Sequence, residues 1–186
     1  MPAFYTESSV ETALQARLPA GIWRLASHLS AQLPCAGMEL RVGPAESESE
    51  RALGRGIRHA VFVEEQGVPV ELEIDGLDDQ CRHFLAHLRL DGGGEQAVAT
   101  ARARVTDRGW KIERVAVLRE QRGRSVGAAL VRHMLGAAPR DRVVYIHAQQ
   151  SAIGFWQRVG FAVEGPEFFE AGIPHRLMLW SRPLAS

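Results

Sequence analysis

The chain has 186 residues, enough for one domain with a sizeable core. Hydrophobic residues make up 46% of it and charged residues 24%, which is ordinary for a globular protein. Lys plus Arg and Asp plus Glu number 22 each, so the formal net charge is zero. That balance argues against nucleic acid as a partner, because such binding needs a basic surface.

The sequence shows no targeting or membrane signal. The N-terminal stretch contains Glu7 and Glu11 and lacks the continuous apolar region of a secretory signal. No run of about 18 apolar residues is present, so no membrane span is expected. Cys35 and Cys81 allow one disulfide but no disulfide framework. We therefore expect a cytoplasmic protein with no membrane partner.

The first 37 residues carry leucines and an isoleucine at helical spacing, interrupted by Pro19 and Gly21. This pattern favours two short helices over one. We interpret residues 1–37 as an N-terminal helical extension and residues 38–186 as the main domain. The extension either packs on that domain or contacts a partner.

A strand and a helix are predicted at the start of the main domain. Residues 38–42 are suited to a short strand, and residues 51–63 place their apolar side chains on one side of a helix. Ser47 or Ser49, in the loop between them, is suited to cap that helix.

An acidic, irregular segment follows the helix, with seven carboxylates at Glu64, Glu65, Glu71, Glu73, Asp75, Asp78 and Asp79. The commonest use of such a run is a solvated loop. The functional alternative is a loop beside a binding site that attracts a cationic ligand such as an amine. The sequence pattern leaves both interpretations open.

Cys81, His83 and His87 lie close together in the sequence and raise the question of a metal site. If residues 82–90 form a strand, the two histidines lie on one face about 13 Å apart, from a rise of about 3.3 Å per residue. They cannot chelate one ion at that distance, and we predict no metal site.

The central part of the chain predicts an antiparallel meander. Its strands occupy residues 82–90, 97–105 and 110–118, joined by two tight turns. A helix begins near Arg124 or Ser125 and leads to a buried strand over 142–148. A strand, a crossover helix and a second strand are typical of a parallel pair.

The turn between the third strand and this helix is a potential anion site. The first N–H groups of a helix lack intrahelical partners, and the helix dipole adds positive charge, so phosphates bind there readily. Gly123 and Gly127 allow close approach of the backbone, and Arg119, Arg122 and Arg124 add charge. The alternative is an ordinary strand–helix connection with a solvated basic face.

The C-terminal elements complete the prediction. A helix is expected over 149–158, and Gly160 ends it before a strand begins at Phe161. Residues 164–174 are polar and aromatic and predict a loop, after which residues 175–181 form a last strand.

The turn carries the first specific resemblance. Arg122-Gly-Arg-Ser-Val-Gly127 resembles the R/Q-x-x-G-x-G/A signature of the GNAT superfamily of acetyl-CoA-dependent N-acetyltransferases. Ser125 stands where the first signature glycine usually lies. In that family the loop cradles the pyrophosphate of coenzyme A.

Three further motifs follow the family order. The run A-x-x-F-W-x-x-x-G-F over residues 152–161 resembles the A-x-x-F-Y-x-x-x-G-F motif of GNAT proteins. The patterns R-x-x-V-F-x-x-E-Q from Arg58 and Ala171-Gly-Ile-Pro-His175 resemble the ElaA-like branch. A similar R-x-x-V-F opening occurs in acyl-homoserine-lactone synthases, which share the fold. Together the matches span residues 38–180.

The resemblance implies an α/β GNAT fold, with a mixed, mostly antiparallel sheet, a splayed parallel strand pair and flanking helices. It implies acetyl-CoA as co-substrate, held by main-chain groups of Val115 and Val117 and by the loop. The positions assigned to the cofactor by this resemblance are Val115, Val117, Arg122, Gly123, Arg124, Ser125, Val126, Gly127, Ala128, Gln149, Phe155 and Trp156.

Acetyl transfer to an amine needs a general base, because an ammonium has no lone pair. Three residues compete for this role: Glu113, His175 and Glu65. An unperturbed histidine titrates near pH 6.5, which suits the task. Trp156 replaces the tyrosine that serves as general acid in many family members, and an indole N–H can only donate a hydrogen bond.

The function expected from this set of motifs is acetyl-CoA-dependent N-acetylation of a primary amine on a small molecule. Transfer from another acyl-CoA or acyl carrier donor is the alternative within the same class. A coenzyme A-binding module that does not catalyse is the alternative outside it. A homodimer is left open.

Overall fold

The computed structural model describes residues 39–90 and 93–181. The predicted N-terminal extension over residues 1–37 lies outside the described residues. One mixed sheet contains seven strands in the order β1-β2-β3-β4-β5-β7-β6. The strands are β1 Leu40–Pro44, β2 Arg82–Leu90, β3 Gly94–Val105, β4 Trp110–Val117, β5 Val144–Gln149, β6 Phe161–Glu170 and β7 Ile173–Trp180. The α-helices are α1 Glu48–Arg58, α2 Val70–Glu73, α3 Val126–Gly136 and α4 Ile153–Arg158.

The strand pairing confirms the predicted fold class. Strands β1 to β4 pair antiparallel, β4 and β5 pair in parallel, and β7 pairs antiparallel with both β5 and β6. The crossover between the parallel strands contains α3, as the sequence pattern predicts. Within the described residues, no helix has the length and apolar character needed to span a membrane.

Helices cover both faces of the sheet. Since successive strand residues point to opposite faces, neighbouring residues of one strand contact different helices. On one face, Phe84 of β2 joins Leu130 and Met134 of α3 in the larger core cluster. On the other face, the next residue, Leu85, packs in a smaller cluster with Ile57 of α1.

Helix α1 begins with a capping box, in which Ser47 accepts a hydrogen bond from the Glu50 N–H and the Glu50 side chain bonds back to Ser47. Gly54 lets this helix lie against β3, because a Cβ at that position would stand 2.9 Å from the Thr100 hydroxyl oxygen. After Arg58 the helix loosens into a π-helix, His59–Glu65, a form that is frequent at functional sites.

Two predicted boundaries in the C-terminal third are wrong. The expected loop over 164–174 is mostly strand, because β6 runs to Glu170 and pairs with β7. The polar and aromatic residues of this stretch suggested a loop, but only Gly165 and Pro166 interrupt the pairing, which resumes at Glu167. The helix expected from Gln149 begins later, since Gln149 ends β5 and a 3₁₀ turn precedes α4.

Arginines neutralise much of the acidic segment. Arg102 of β3 is fully buried and pairs with Asp75 and with Asp78, the latter at 2.6 Å. Arg58, also buried, pairs with Glu73 and, at 2.7 Å, with Asp78. The segment is therefore fixed to the sheet by ion pairs, which neither interpretation of the sequence anticipated.

Replacing Arg102 with alanine is expected to lower the free energy of unfolding by about 3–5 kcal/mol, because it leaves carboxylates without their buried partner. Arg89→Ala is the control, since Arg89 pairs with Glu39 at the surface with 63% of its side chain exposed. That change is expected to cost less than about 1 kcal/mol. Urea denaturation measures both, and equal losses would contradict the structural role of Arg102.

The same cluster predicts loss of stability in acid. Burial alone raises the pKa of the Asp75 carboxyl, but hydrogen bonds from Arg102 and Leu77, with the charges of Arg102 and Arg114, lower it from 3.8 to about 2. Because the unfolded chain takes up the proton at the higher pH, the stabilisation is complete above about pH 4 and is lost as the pH falls towards 2.

Denaturation at pH 5 and pH 3 tests this expectation. Asp75→Asn is expected to be less stable than the parent protein at pH 5 and to lose less stability on going to pH 3. Asp79→Asn, at an exposed position of the same segment, is the control. An unchanged acid response in Asp75→Asn would contradict the assigned pKa.

Candidate active site

A cleft opens where the two parallel strands part. Strands β4 and β5 pair only at Trp110–Val144 and Lys111–Tyr145. Beyond these pairs lies a cavity of about 170 Å³. Its walls contain residues within 111–115 of β4, 146–149 of β5, 62–73 before and in α2, and 170–175 at the β6–β7 turn.

A β-bulge in β4 shapes the floor of this cleft. Ala101 of β3 faces two residues, Arg114 and Val115, because the register shifts at this point. Arg114 has a positive φ of 55°. Its guanidinium donates to the Leu72 carbonyl at 2.8 Å and pairs with Asp75 at 3.2 Å, so the bulge ties α2 to the cleft.

The edge of β4 that faces the cleft offers backbone groups. Successive strand residues direct their N–H groups to opposite edges. The Leu118 N–H donates to Val98 of β3 at 2.9 Å, so the N–H groups of Val117 and Val115 point towards the β5 side. These are the two residues that the resemblance assigns to main-chain contacts with the cofactor.

The loop between β4 and α3 has the backbone of an anion cradle. Gly123 and Ser125 both have positive φ, 73° and 58°. The positive φ at Ser125 gives a physical reason why the family pattern has glycine there. The first intrahelical bond joins the Ala129 N–H to the Ser125 carbonyl, so the N–H groups of Val126, Gly127 and Ala128 have no intrahelical acceptor.

Arg122 is directed into the protein. Its Nε donates to the Val117 carbonyl at 3.0 Å, and its two terminal nitrogens each donate to Glu65 at 2.7 Å. The hydrogen bond from Arg122 lowers the pKa of Glu65, with the charges of Arg122 and Arg119 adding to it. Glu65 does not line the cavity. Its hydrogen bonds from Arg122 hold the loop in position.

Glu113 lines the cavity, but three cations surround it. Arg102, Arg104 and Lys111 lie 3.1, 3.0 and 3.3 Å from its carboxylate oxygens. Burial alone raises the pKa of Glu113, but the charges of Arg102, Lys111 and Arg104 outweigh it and the net pKa is lowered. A lowered pKa makes Glu113 a weak base.

His175 is buried in the cleft wall with one ring nitrogen committed. Its Nδ1 lies 2.8 Å from the Ile173 carbonyl, which can only accept, so Nδ1 carries a proton. In the neutral ring Nε2 then has the free lone pair. Nε2 lies 4.0 Å from the carboxylate of Glu170. Of the three predicted bases, His175 alone combines a place in the cleft with a free acceptor atom.

Glu170 and His147 are cleft residues that the sequence analysis did not select. The His147 Nδ1 lies 2.7 Å from the Glu170 carboxylate, and the Phe168 ring contacts both His147 and His175. A histidine that directly follows the apolar run of strand β5 was the available signal for His147. Glu170 directly precedes the Ala171–His175 motif, but the predicted loop hid its orientation.

The remaining predicted cofactor residues divide between wall and core. Gln149 and Trp156 line the cavity, whereas Phe155 packs beside Trp156 with ring centroids 5.1 Å apart. Phe161 contacts Trp156 from another side at 5.1 Å. Arg124 lies in the loop before α3, outside the cavity walls.

Comparison with known proteins agrees with this architecture. The model of the acetyltransferase (GNAT) domain matches residues 88–182. A Bacillus subtilis protein named as an N-acetyltransferase, YjcF, is 35% identical over 126 residues, which cover 66% of this chain and 86% of YjcF.

Two solved structures match this chain over almost the whole of their own length. Escherichia coli ElaA is 30% identical with a TM-score of 0.64, covering 77% of this chain and 99% of ElaA. An acyl-CoA N-acyltransferase from Pseudomonas aeruginosa is 28% identical with the same TM-score of 0.64, covering 77% and 99%. The family resemblance of the sequence motifs is thereby confirmed, and this chain belongs to the GNAT family of acetyltransferases.

Proposed function

We propose that this chain transfers an acetyl group directly from acetyl-CoA to a primary amine of a small molecule. The observation that carries the proposal is the cleft between β4 and β5. A loop with positive φ at Gly123 and Ser125 and the α3 N-terminus follow β4, and His175 lines the cleft from β7, beside β5. The name of the Pseudomonas aeruginosa relative, an acyl-CoA N-acyltransferase, supports an acyl-CoA donor.

On the donor side, the loop and the first turn of α3 would hold the pyrophosphate through backbone N–H groups. The inward-facing N–H groups of Val115 and Val117 would bind the extended arm of the coenzyme, as a neighbouring strand would. Arg122 supports this surface from behind, because it joins the loop to Val117 and Glu65.

On the acceptor side, His175 Nε2 takes one proton from the bound ammonium and passes it to solvent, and the neutral amine nitrogen then attacks the thioester carbonyl. The nitrogen loses its second proton by the same route as the amide forms. A C–N bond forms and the C–S bond breaks, giving an amide and the coenzyme A thiolate. The thiolate takes its proton from solvent, because the Trp156 indole is donor only and does not titrate usefully. The Tyr145 hydroxyl is hydrogen-bonded to Thr106 at 2.9 Å, and we assign it a structural role and not the role of general acid.

Ser125 offers a graded test of the loop. Ser125→Gly is expected to retain or increase acetyl-CoA affinity and to raise the free energy of unfolding by up to about 1 kcal/mol, because glycine adopts a positive φ without strain. Ser125→Val is expected to weaken binding at least about tenfold, since a β-branched residue resists that conformation. Calorimetric titration measures the affinity, and unchanged binding by Ser125→Val would contradict the assigned loop.

His175→Ala is expected to lower kcat by about 10²- to 10⁴-fold, the range typical of a general base, and to leave the acetyl-CoA Kd within about twofold. His59→Ala is the control, because His59 is half-exposed and pairs with Glu64 at 3.3 Å. Steady-state kinetics over a panel of amines and acyl-CoA chain lengths gives the comparison. Acetyl-CoA binding without turnover of any amine would favour a non-catalytic coenzyme A-binding module.

A further inference from the structure

The acceptor side of the cleft has one carboxylate left for a ligand. Three glutamates line the cavity: Glu73, Glu113 and Glu170. Glu73 pairs with the buried Arg58, and Glu113 is surrounded by Arg102, Arg104 and Lys111. Among the residues that the structure describes, Glu170 makes its short side-chain contact with His147 at 2.7 Å, His175 Nε2 lies 4.0 Å away, and the charge of Lys111 also acts on the carboxylate.

Glu170 is also accessible. Its side chain is 44% exposed, against 4% for Glu73 and 10% for Glu113. The hydrogen bond from His147 lowers its pKa, so it is ionised at neutral pH. An ammonium bound at this carboxylate lies beside His175, whose Nε2 is 4.0 Å from the same group.

Apart from Glu73, which pairs with Arg58, the wall formed by the π-helix and α2 is apolar. Phe62, Val68 and Leu72 line the cavity from this side, and half of the Leu72 side chain is exposed. Four of the seven acidic side chains of the same segment face arginines, and the other three, Glu64, Glu71 and Asp79, do not line the cavity. Asp75 and Asp78 pair with Arg102, and Glu65 pairs with Arg122.

We infer that the acceptor is a monoamine with an aliphatic or aromatic substituent, whose ammonium binds Glu170 and whose apolar part contacts Phe62, Val68 and Leu72. The inference rests on the proposed function and narrows its substrate class. A polyamine or an aminoglycoside carries several cations, and the other carboxylates of this cleft are already neutralised. Burying such cations without partners is unfavourable.

Equilibrium binding tests the inference apart from catalysis. 2-Phenylethylamine, spermidine and the uncharged analogue 2-phenylethanol are titrated by calorimetry into the protein, with and without saturating coenzyme A. 2-Phenylethylamine is expected to bind at least about tenfold more tightly than either spermidine or 2-phenylethanol. Spermidine binding as tightly as 2-phenylethylamine, or no binding by any amine in either condition, would overturn the inference.

Two variants assign the two halves of the site. Glu170→Gln is expected to weaken 2-phenylethylamine binding at least about tenfold, because it removes the charge partner of the ammonium. Leu72→Asp is expected to weaken it to a similar extent, because it places a charge in the apolar wall. Leu53→Asp is the matched control, because Leu53 on α1 is 49% exposed, close to the 50% of Leu72, and does not line the cavity. Thermal melting of each variant checks folding, and both residues under test are accessible enough for the fold to tolerate the change.

The outcomes separate this inference from the proposed function. Acetyl-CoA binding with efficient acetylation of spermidine would overturn the monoamine inference and leave acetyl transfer in place. The expected amine preference in a protein that does not bind acetyl-CoA would overturn acetyl transfer and support the acceptor site. Equal effects of Leu53→Asp and Leu72→Asp would overturn the assignment of the apolar wall.

Discussion

The acceptor half of the cleft depends on buried guanidinium groups. Arg102 is held between Asp75, Asp78 and Glu113, and Arg58 joins Glu73 to Asp78. Removing such charges from water is costly, and here several carboxylates compensate the two arginines. The segment that carries Leu72 contains little regular secondary structure. The ion pairs of Arg58 and Arg102, with the contacts of Arg114, therefore determine where the cleft wall lies.

The donor half depends instead on backbone geometry. Two strands that pair over two residues and then separate leave strand edges with no neighbouring strand. The bulge at Arg114 lies three residues beyond Lys111, the last residue of β4 that pairs with β5, and the Arg114 side chain reaches across to α2. Backbone groups on one side and ionised side chains on the other give the cleft two chemically different ends.

Periodicity predicted the elements whose burial is regular. The apolar run before the loop, the crossover helix and the meander follow from alternation and helical spacing, and they predicted an antiparallel meander followed by a parallel pair. The GNAT fold itself was predicted from the resemblance of the motifs. Contacts between distant positions were not predictable in this way. Arg122 and Glu65 lie 57 positions apart, and each was assigned another role because nothing local links them. Glu170 was missed because the polar and aromatic stretch over 164–174 suggested a loop, although the strand is interrupted only between Glu164 and Glu167.

The ion pair between Arg122 and Glu65 bears on how the family signature is compared between relatives. One planar side chain uses Nε for the Val117 carbonyl and both terminal nitrogens for Glu65. Lysine offers a single point charge and cannot form that fork. Positions 65 and 122 are therefore expected to covary, so that relatives that change one of them change the other as well.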